Sequence, residues 1–223
     1  MHHGIVFSGI LIYMEKVDIL LPPRFQKGGK IKNVRDAIED EDWLGTFNLW
    51  VIQSKPVPAI VYQQRSPNAG WAPRKLDVTA GGHYAAGESM KQGLREVREE
   101  LGKSYDFKKL TYLGRRLNVS PDIKGRARHT VVDIFMILDN SPLDSYALQK
   151  EEVYALFSCP IDKLMKTHAE KRSSFSADGL TNNGKTTTIR ISQQSFPYNW
   201  DDYHFKIALL AKRFLKREKN LVY

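Results

Sequence analysis

Glu96, Glu99 and Glu100 occupy positions i, i+3 and i+4, a spacing that on a helix turns three carboxylates toward one side. Like charges gathered this closely repel one another, and a cation relieves the cost. Hard carboxylate oxygens suit Mg2+ or Mn2+. Just upstream, Gly81-Gly82 and Gly87-Glu88 form a glycine-rich approach whose backbone can come close to a metal ion or a phosphate. The same residues also fit a plainer arrangement, a solvated acidic face preceded by an ordinary glycine turn.

Positioning the glutamates requires a helix with a buried opposite side. Met90, Leu94, Val97 and Leu101 recur at spacings of four, three and four, and Gly102 stands where a C-terminal cap is expected. The helix is therefore predicted to run through the glutamates with this stripe on the core. Strands are predicted at residues 5–13, 47–53, 59–65, 75–79, 109–117, 129–138 and 152–158. Further helices are predicted at 33–41, with Asn33 as the cap, at 161–168 and at 203–217. Residues 22–32, 66–74 and 118–128 read as loops, and the polar stretch 167–188 as a mobile insertion. Strands mixed with a few helices, without strict βα alternation, point to an α+β chain with a mixed sheet.

Taken together, Gly82, Glu88 and the run Arg95-Glu96-Val97-Arg98-Glu99-Glu100-Leu101-Gly102 resemble the Nudix box. That signature is glycine, five residues, glutamate, seven residues, then Arg-Glu-apolar-x-Glu-Glu-x-Gly. Here six residues, Ser89 to Leu94, stand between Glu88 and Arg95, a shortening at the helix entrance. Residues 59–66 also resemble the family's strand ending in Gln-x-Arg-Ser, and Glu151-Glu152-Val153 a later acidic turn.

The resemblance implies an α/β/α sandwich with a mixed β-sheet. It also implies hydrolysis, by metal-activated water, of a diphosphate linkage in a nucleoside-diphosphate-type or related phosphorylated metabolite. By the same resemblance Glu99 and Glu100, with Glu96 beside them, are metal ligands, and the Gly81 carbonyl is a backbone ligand. Glu96 is the expected general base and Arg95 orients the glutamates. Glu152 is the expected catalytic glutamate from outside the box, and Arg65 and His83 are expected substrate contacts. Trp71, Tyr84 and Phe47 are expected in core or loop packing rather than in stacking on a base.

A net charge of +9 draws anions of several kinds, phosphorylated metabolites and RNA among them. A second reading, a non-catalytic Nudix-fold binder of nucleotide or RNA, draws on Lys206, Lys212, Arg213, Lys216 and Arg217 near the end of the chain. Against it, Phe205, Leu209, Leu210 and Phe214 form an ordinary packing face for the same helix. An isopentenyl diphosphate isomerase, also of this superfamily, is disfavoured. It needs a cysteine before the Gly82-His83 pair, where Gly81 stands, and histidines within Trp43-Leu44-Gly45-Thr46-Phe47-Asn48, which has none.

The single cysteine, Cys159, points to a cytoplasmic setting, and the apolar run 5–13 is too short to span a bilayer, so no membrane partner is expected. Residues 41–168 are expected to form the Nudix domain. Residues 1–40 read as its N-terminal extension, and 169–223 as a C-terminal extension with a polar loop and an amphipathic basic helix.

Overall fold

The computed structural model describes residues 15–122, 124–170, 172–197 and 201–223. The strand expected at residues 5–13 lies outside them. The spine is β3 (Trp43–Gln53), long and rich in aromatic and branched residues. One edge of β3 pairs in parallel with β8 (Ala127–Leu138), from Trp43 against His129 to Ile52 against Leu138. The other edge is divided among three antiparallel strands. β1 (Lys16–Leu21) takes Trp43 and Leu44, β6 (Ala80–His83) takes Thr46 to Leu49, and β4 (Ala59–Arg65) takes Val51 to Gln53.

Beyond these, β2 (Gln26–Asn33) pairs with β1 and β7 (Thr111–Pro121) with β8. β4 carries β5 (Leu76–Asp77) and β9 (Val153–Pro160), and β9 leads on to β10 (Phe175–Thr181) and β11 (Thr186–Ile191). The one parallel pair among antiparallel ones makes the sheet mixed.

The alternation of side chains along β3 creates two cores. Phe47, Leu49 and Val51 pack with Val97 and Leu101 of α2 (Arg95–Leu101). Trp50 and Ile52 face the opposite way, toward α3 (Ile161–Ala169) and α4 (Tyr203–Leu215). Each such fully buried side chain contributes about 1.5–3 kcal/mol relative to exposure. The result is an α/β/α sandwich. A smaller cluster of Val17, Ile19 and Leu44 is covered by Val34 and Ala37 of α1 (Val34–Glu39).

Several expected loops are strands. Residues 22–32 contain β2, whose lysines and glycines face solvent as an edge strand allows. The segment 118–128 is the end of a tight β7–β8 hairpin. The polar stretch 167–188 is not a mobile insertion, because β10 and β11 extend the sheet from β9. Its inward positions Ala177, Gly179 and Thr181 are small, so the alternation carries little apolar signal. The strand expected at 75–79 is only the two-residue β5, and the glycine pair after it lies within a strand of its own, β6.

Two helices also differ from expectation. Met90 and Leu94 pack against the core, but the α-helix begins only at Arg95, after a 3-10 turn at Gln92–Leu94. On α4 the buried residues are Tyr203, His204, Ile207, Ala208, Leu210 and Ala211, whereas Leu209 is exposed. Two small alanines let this side approach the sheet, which turns the expected packing face around the helix.

Candidate functional site

The glutamates sit where α2 passes the free edge of β6. Gly82 leaves room for the Glu96 carboxyl there: a Cβ at this position would lie 2.4 Å from it, so the carboxyl would have to move. The Gly81 N–H donates to Glu100 Oε2 at 3.1 Å. Gly102, in the left-handed region at φ 63°, ends the helix, and its N–H donates to the Arg98 carbonyl. The following segment then returns, with the Gln149 N–H donating to the Glu100 carbonyl at 2.9 Å. That return brings Glu152 close enough to Glu100 for its charge to act on the Glu100 carboxyl.

Arg95 is the hub of the cluster. Its guanidinium lies 3.1 Å from Glu88, 2.7 Å from Glu99, 3.1 Å from Glu96 and 3.1 Å from Glu15. The six-residue spacing therefore preserves the Glu88–Arg95 pair. The 3-10 turn rises further per residue than an α-helix, so fewer residues span the distance between them, and Glu88 also accepts from the Ala85 N–H at 2.8 Å. Glu15, from the segment before β1, is a member of the cluster that the local sequence pattern does not announce.

Glu15, Glu96, Glu100 and Glu152 hold protons more strongly than ordinary carboxylates. Burial raises Glu96 to about 8, and Glu15, Glu99 and Glu152 add repulsion that Arg95 only partly offsets. Glu100 is raised well above the usual carboxylate range, first by burial and then by Glu96 and Glu152. Burial likewise raises Glu152 and Glu15, with Arg65 and Arg95 respectively opposing. Among the described residues no three of these side chains close into a preformed ligand set. The donors are nevertheless hard oxygens short of positive charge, a set that fits a hard divalent cation.

The cluster opens into a cavity of about 1250 Å3. Arg65 lines it, donating to the Trp71 carbonyl at 2.9 Å and pairing with Asp77 at 3.3 Å. His83 lines it too. Burial, with Arg128 and Arg65 nearby, lowers its pKa to about 3, so the ring is neutral. The structure thus brings Arg65, Gly81, His83, Arg95, Glu96, Glu99, Glu100 and Glu152 to one cavity. Trp71 also borders it, while Phe47 is fully buried and Tyr84 packs against Phe47. Arg128 was not apparent in the sequence. It alternates with Thr130 and Val132 on β8, and all three face the cavity, a strand periodicity that becomes informative once the strand is known to begin at Ala127.

A mixed sheet between helices, with a glutamate helix at the free edge of a glycine strand, defines a recognisable class. The family model described as the NUDIX domain matches residues 45–178, and the chain belongs to the Nudix family. It is 28% identical over 190 residues to an uncharacterized Nudix hydrolase of Clostridium acetobutylicum, covering 81% of this chain and 89% of that protein. It is 26% identical over 142 residues to Nudix hydrolase 3 of Arabidopsis thaliana, covering 62% of this chain but 18% of the plant protein. A solved structure from Deinococcus radiodurans has a similar fold, with TM-score 0.52 and 18% identity over 70% of this chain and 89% of that one. Among the described residues no helix is long and apolar enough to cross a membrane.

Proposed function

We propose that the chain is a divalent-metal-dependent hydrolase that cuts a diphosphate linkage in a phosphorylated small molecule, with Mg2+ or Mn2+ as the ion. The observation that carries this reading is the convergence of Glu96, Glu99, Glu100 and Glu152 on one lip of a large cavity. Such a cluster is costly to the fold unless a cation joins it. Membership in the Nudix family supports the same reaction class.

When bound, the ion would neutralise the diphosphate and acidify a water molecule. Glu99 and Glu100 offer it side-chain oxygens, and Gly81 its carbonyl. Arg95 holds Glu99 and Glu96 in place through the contacts described above. Glu96 combines burial with a proton affinity near neutrality, which suits a general base taking the proton of the attacking water. Glu152, which lines the same cavity and whose charge acts on Glu100, is assigned as the second catalytic carboxylate. Arg65 and His83 face the substrate side of the cavity.

Isomerase chemistry lacks its acid, because Cys159 is buried in the core beside α3 and does not line the cavity. Three of the basic residues on and after α4 have local partners: Lys212 pairs with Asp162, Arg213 with Glu218, and Lys206 lies over Tyr223. That arrangement suits packing better than nucleic-acid binding. We read residues 41–168 as the catalytic domain with extensions at 1–40 and 169–223, and the setting as cytoplasmic.

The test is turnover of a panel of nucleotide and sugar diphosphates with Mg2+ and Mn2+, using Glu99→Gln and Glu100→Gln as controls. Metal-dependent release of phosphorylated products by the wild type alone is expected. Equal inertness of wild type and variants across the panel would overturn the hydrolase reading.

A further inference from the structure

The turn that carries Glu88 is held from outside. It closes with the Glu88 N–H donating to the Ala85 carbonyl at 2.9 Å, and Gly87 lies at φ 87°. Ala85 and Ala86 have no polar side chains to fix the turn further. The β1–β2 hairpin supplies what it lacks. The Ala86 N–H donates to the Lys16 carbonyl at 2.7 Å, and the Gly87 N–H to Asp18 Oδ2 at 2.8 Å. Lys27 Nζ, on β2, donates to the Glu88 carbonyl at 2.9 Å and lies 2.8 Å from the same Asp18 oxygen. Ala86, Gly87 and Glu88 are thus all tied to one hairpin.

The tie continues to Arg95. Glu88 accepts from Arg95 Nε at 3.1 Å, and Glu15, next to β1, accepts from Nη2 at 3.1 Å. The Glu15 carbonyl in turn accepts from the Val34 N–H at 2.9 Å, just after β2. A guanidinium is a rigid planar fork, so holding Nε and Nη2 sets where Nη1 points. Nη1 is the group that donates to Glu99 at 2.7 Å. Of the four carboxyl partners of Arg95, Glu96 and Glu99 are assigned to the ion, and Glu88 and Glu15 are not. The orientation of Arg95 beside a bound ion therefore depends on the two partners that the hairpin side secures. The hairpin precedes residues 45–178, so this support is not among the features that the family match itself carries.

We infer that the β1–β2 hairpin is a brace of the reaction site, and that Asp18, Lys27 and Glu15 are positioning residues. Through the turn at Ala85 to Glu88 and through Arg95 they fix the carboxyl groups of Glu96 and Glu99 for a divalent cation. Groups that hold metal ligands from behind commonly contribute about 10–100-fold in metal affinity or activity. The inference rests on the assignment of Glu96 and Glu99 to the ion under the proposed function, and not on which bond is cut.

Lys27 separates this role from simple electrostatics, because the two have opposite signs. Its side chain is half-exposed, on the edge strand β2. Loss of a nearby positive charge would by itself tighten cation binding, whereas loss of the brace weakens it. Calorimetric titration of the full chain with Mn2+ compares wild type with Lys27→Met, Lys27→Arg and Asp18→Ala, each well below its melting transition. Lys27→Met is expected to bind Mn2+ about tenfold more weakly, and Asp18→Ala at least as weakly. Lys27→Arg, which can still donate to both oxygens, should stay within about threefold of wild type. The melting temperature of Lys27→Met should stay within about 4 °C of wild type, as for an exposed ion pair.

Unchanged or tighter Mn2+ binding by Lys27→Met, an equal loss in Lys27→Arg, or a wild type that binds no Mn2+ would each overturn the brace. Turnover of the diphosphate panel is scored separately. Mn2+ affinities in the expected order without turnover keep the brace and remove the hydrolase. Turnover with Mn2+ affinity unchanged in Lys27→Met does the reverse.

Discussion

Two regions of the molecule bury ionisable groups, the glutamate edge at α2 and the aromatic cluster beneath α4, and they manage charge in opposite ways. Beneath α4, Phe196 packs against Tyr62 at 5.4 Å and against His168 and His204 at 4.7 Å each, while the two imidazoles stack at 5.8 Å. Burial lowers His168 to about 4 and His204 well below the usual histidine range, so both are neutral there. At the glutamate edge burial raises the carboxyl pKa values, yet the groups are too many for Arg95 to balance. One region has discarded its charge to pack. The other keeps its carboxyl groups on a cavity wall, where burial favours the protonated form and a cation could take the place of the proton.

The sharpest way to break this contrast is to neutralise the edge. Glu96→Gln is expected to lower turnover by about 100-fold to 10,000-fold, the range for loss of a general base. Above about pH 8, where Glu96 is ionised, the metal-free protein should melt no lower than wild type, because a buried repelling charge has gone. A variant that loses stability and keeps activity would reverse the assignment.

Next in size, Gly82→Ala places a Cβ where the Glu96 carboxyl now lies, so that carboxyl must move aside. Such a displacement should cost about 100-fold in turnover while circular dichroism stays native. In the other region Phe196→Ala should cost about 3–5 kcal/mol of stability in denaturant unfolding. Its Mg2+ affinity should remain that of wild type, and a large loss of metal binding would show the two regions to be coupled.

The pH dependence of stability sharpens the comparison further, since the two regions have opposite signs. Glu96 binds a proton more tightly folded than unfolded, so lowering the pH from above about 8 toward the ordinary carboxylate range stabilises the metal-free fold. His168, lowered to about 4, and His204, lowered well below the ordinary histidine value, bind protons more tightly when unfolded. Their contribution is complete above the ordinary histidine value and is lost as the pH falls below it. The melting temperature of the metal-free protein should therefore climb from pH 9 to about pH 7. Below that the histidines oppose the carboxylates, and saturating Mg2+ should flatten the alkaline limb. The smallest effect expected is that of Lys212→Ala, which breaks an exposed pair with Asp162 and should change stability by no more than about 1 kcal/mol.

The sequence conveyed these features unequally, for physical reasons. The glutamate helix was legible because three charges and four apolar residues repeat with one period, and β8 because its buried run is continuous. The 3-10 entrance to α2 was not, since Met90 and Leu94 keep the helical period without the helix. β10 and β11 were hidden by small and polar side chains whose burial depends on β9. Glu15 and Arg128 belong to the site only through pairings distant in the chain, and no local window contains that information.

The parallel pairing of β3 with β8 has a consequence for how the chain assembles. Trp43 must meet His129, far along the chain, before β7 and β8 can wall the cavity, whereas Gly81 to Glu100 lie close together in sequence. Non-local pairings of this kind close late because the chain entropy is lost before the contacts form. In refolding, the β6–α2 segment should therefore assemble before the β7–β8 hairpin docks on β3. An early species would then possess the glutamate edge before it has a place for anything that edge could act upon.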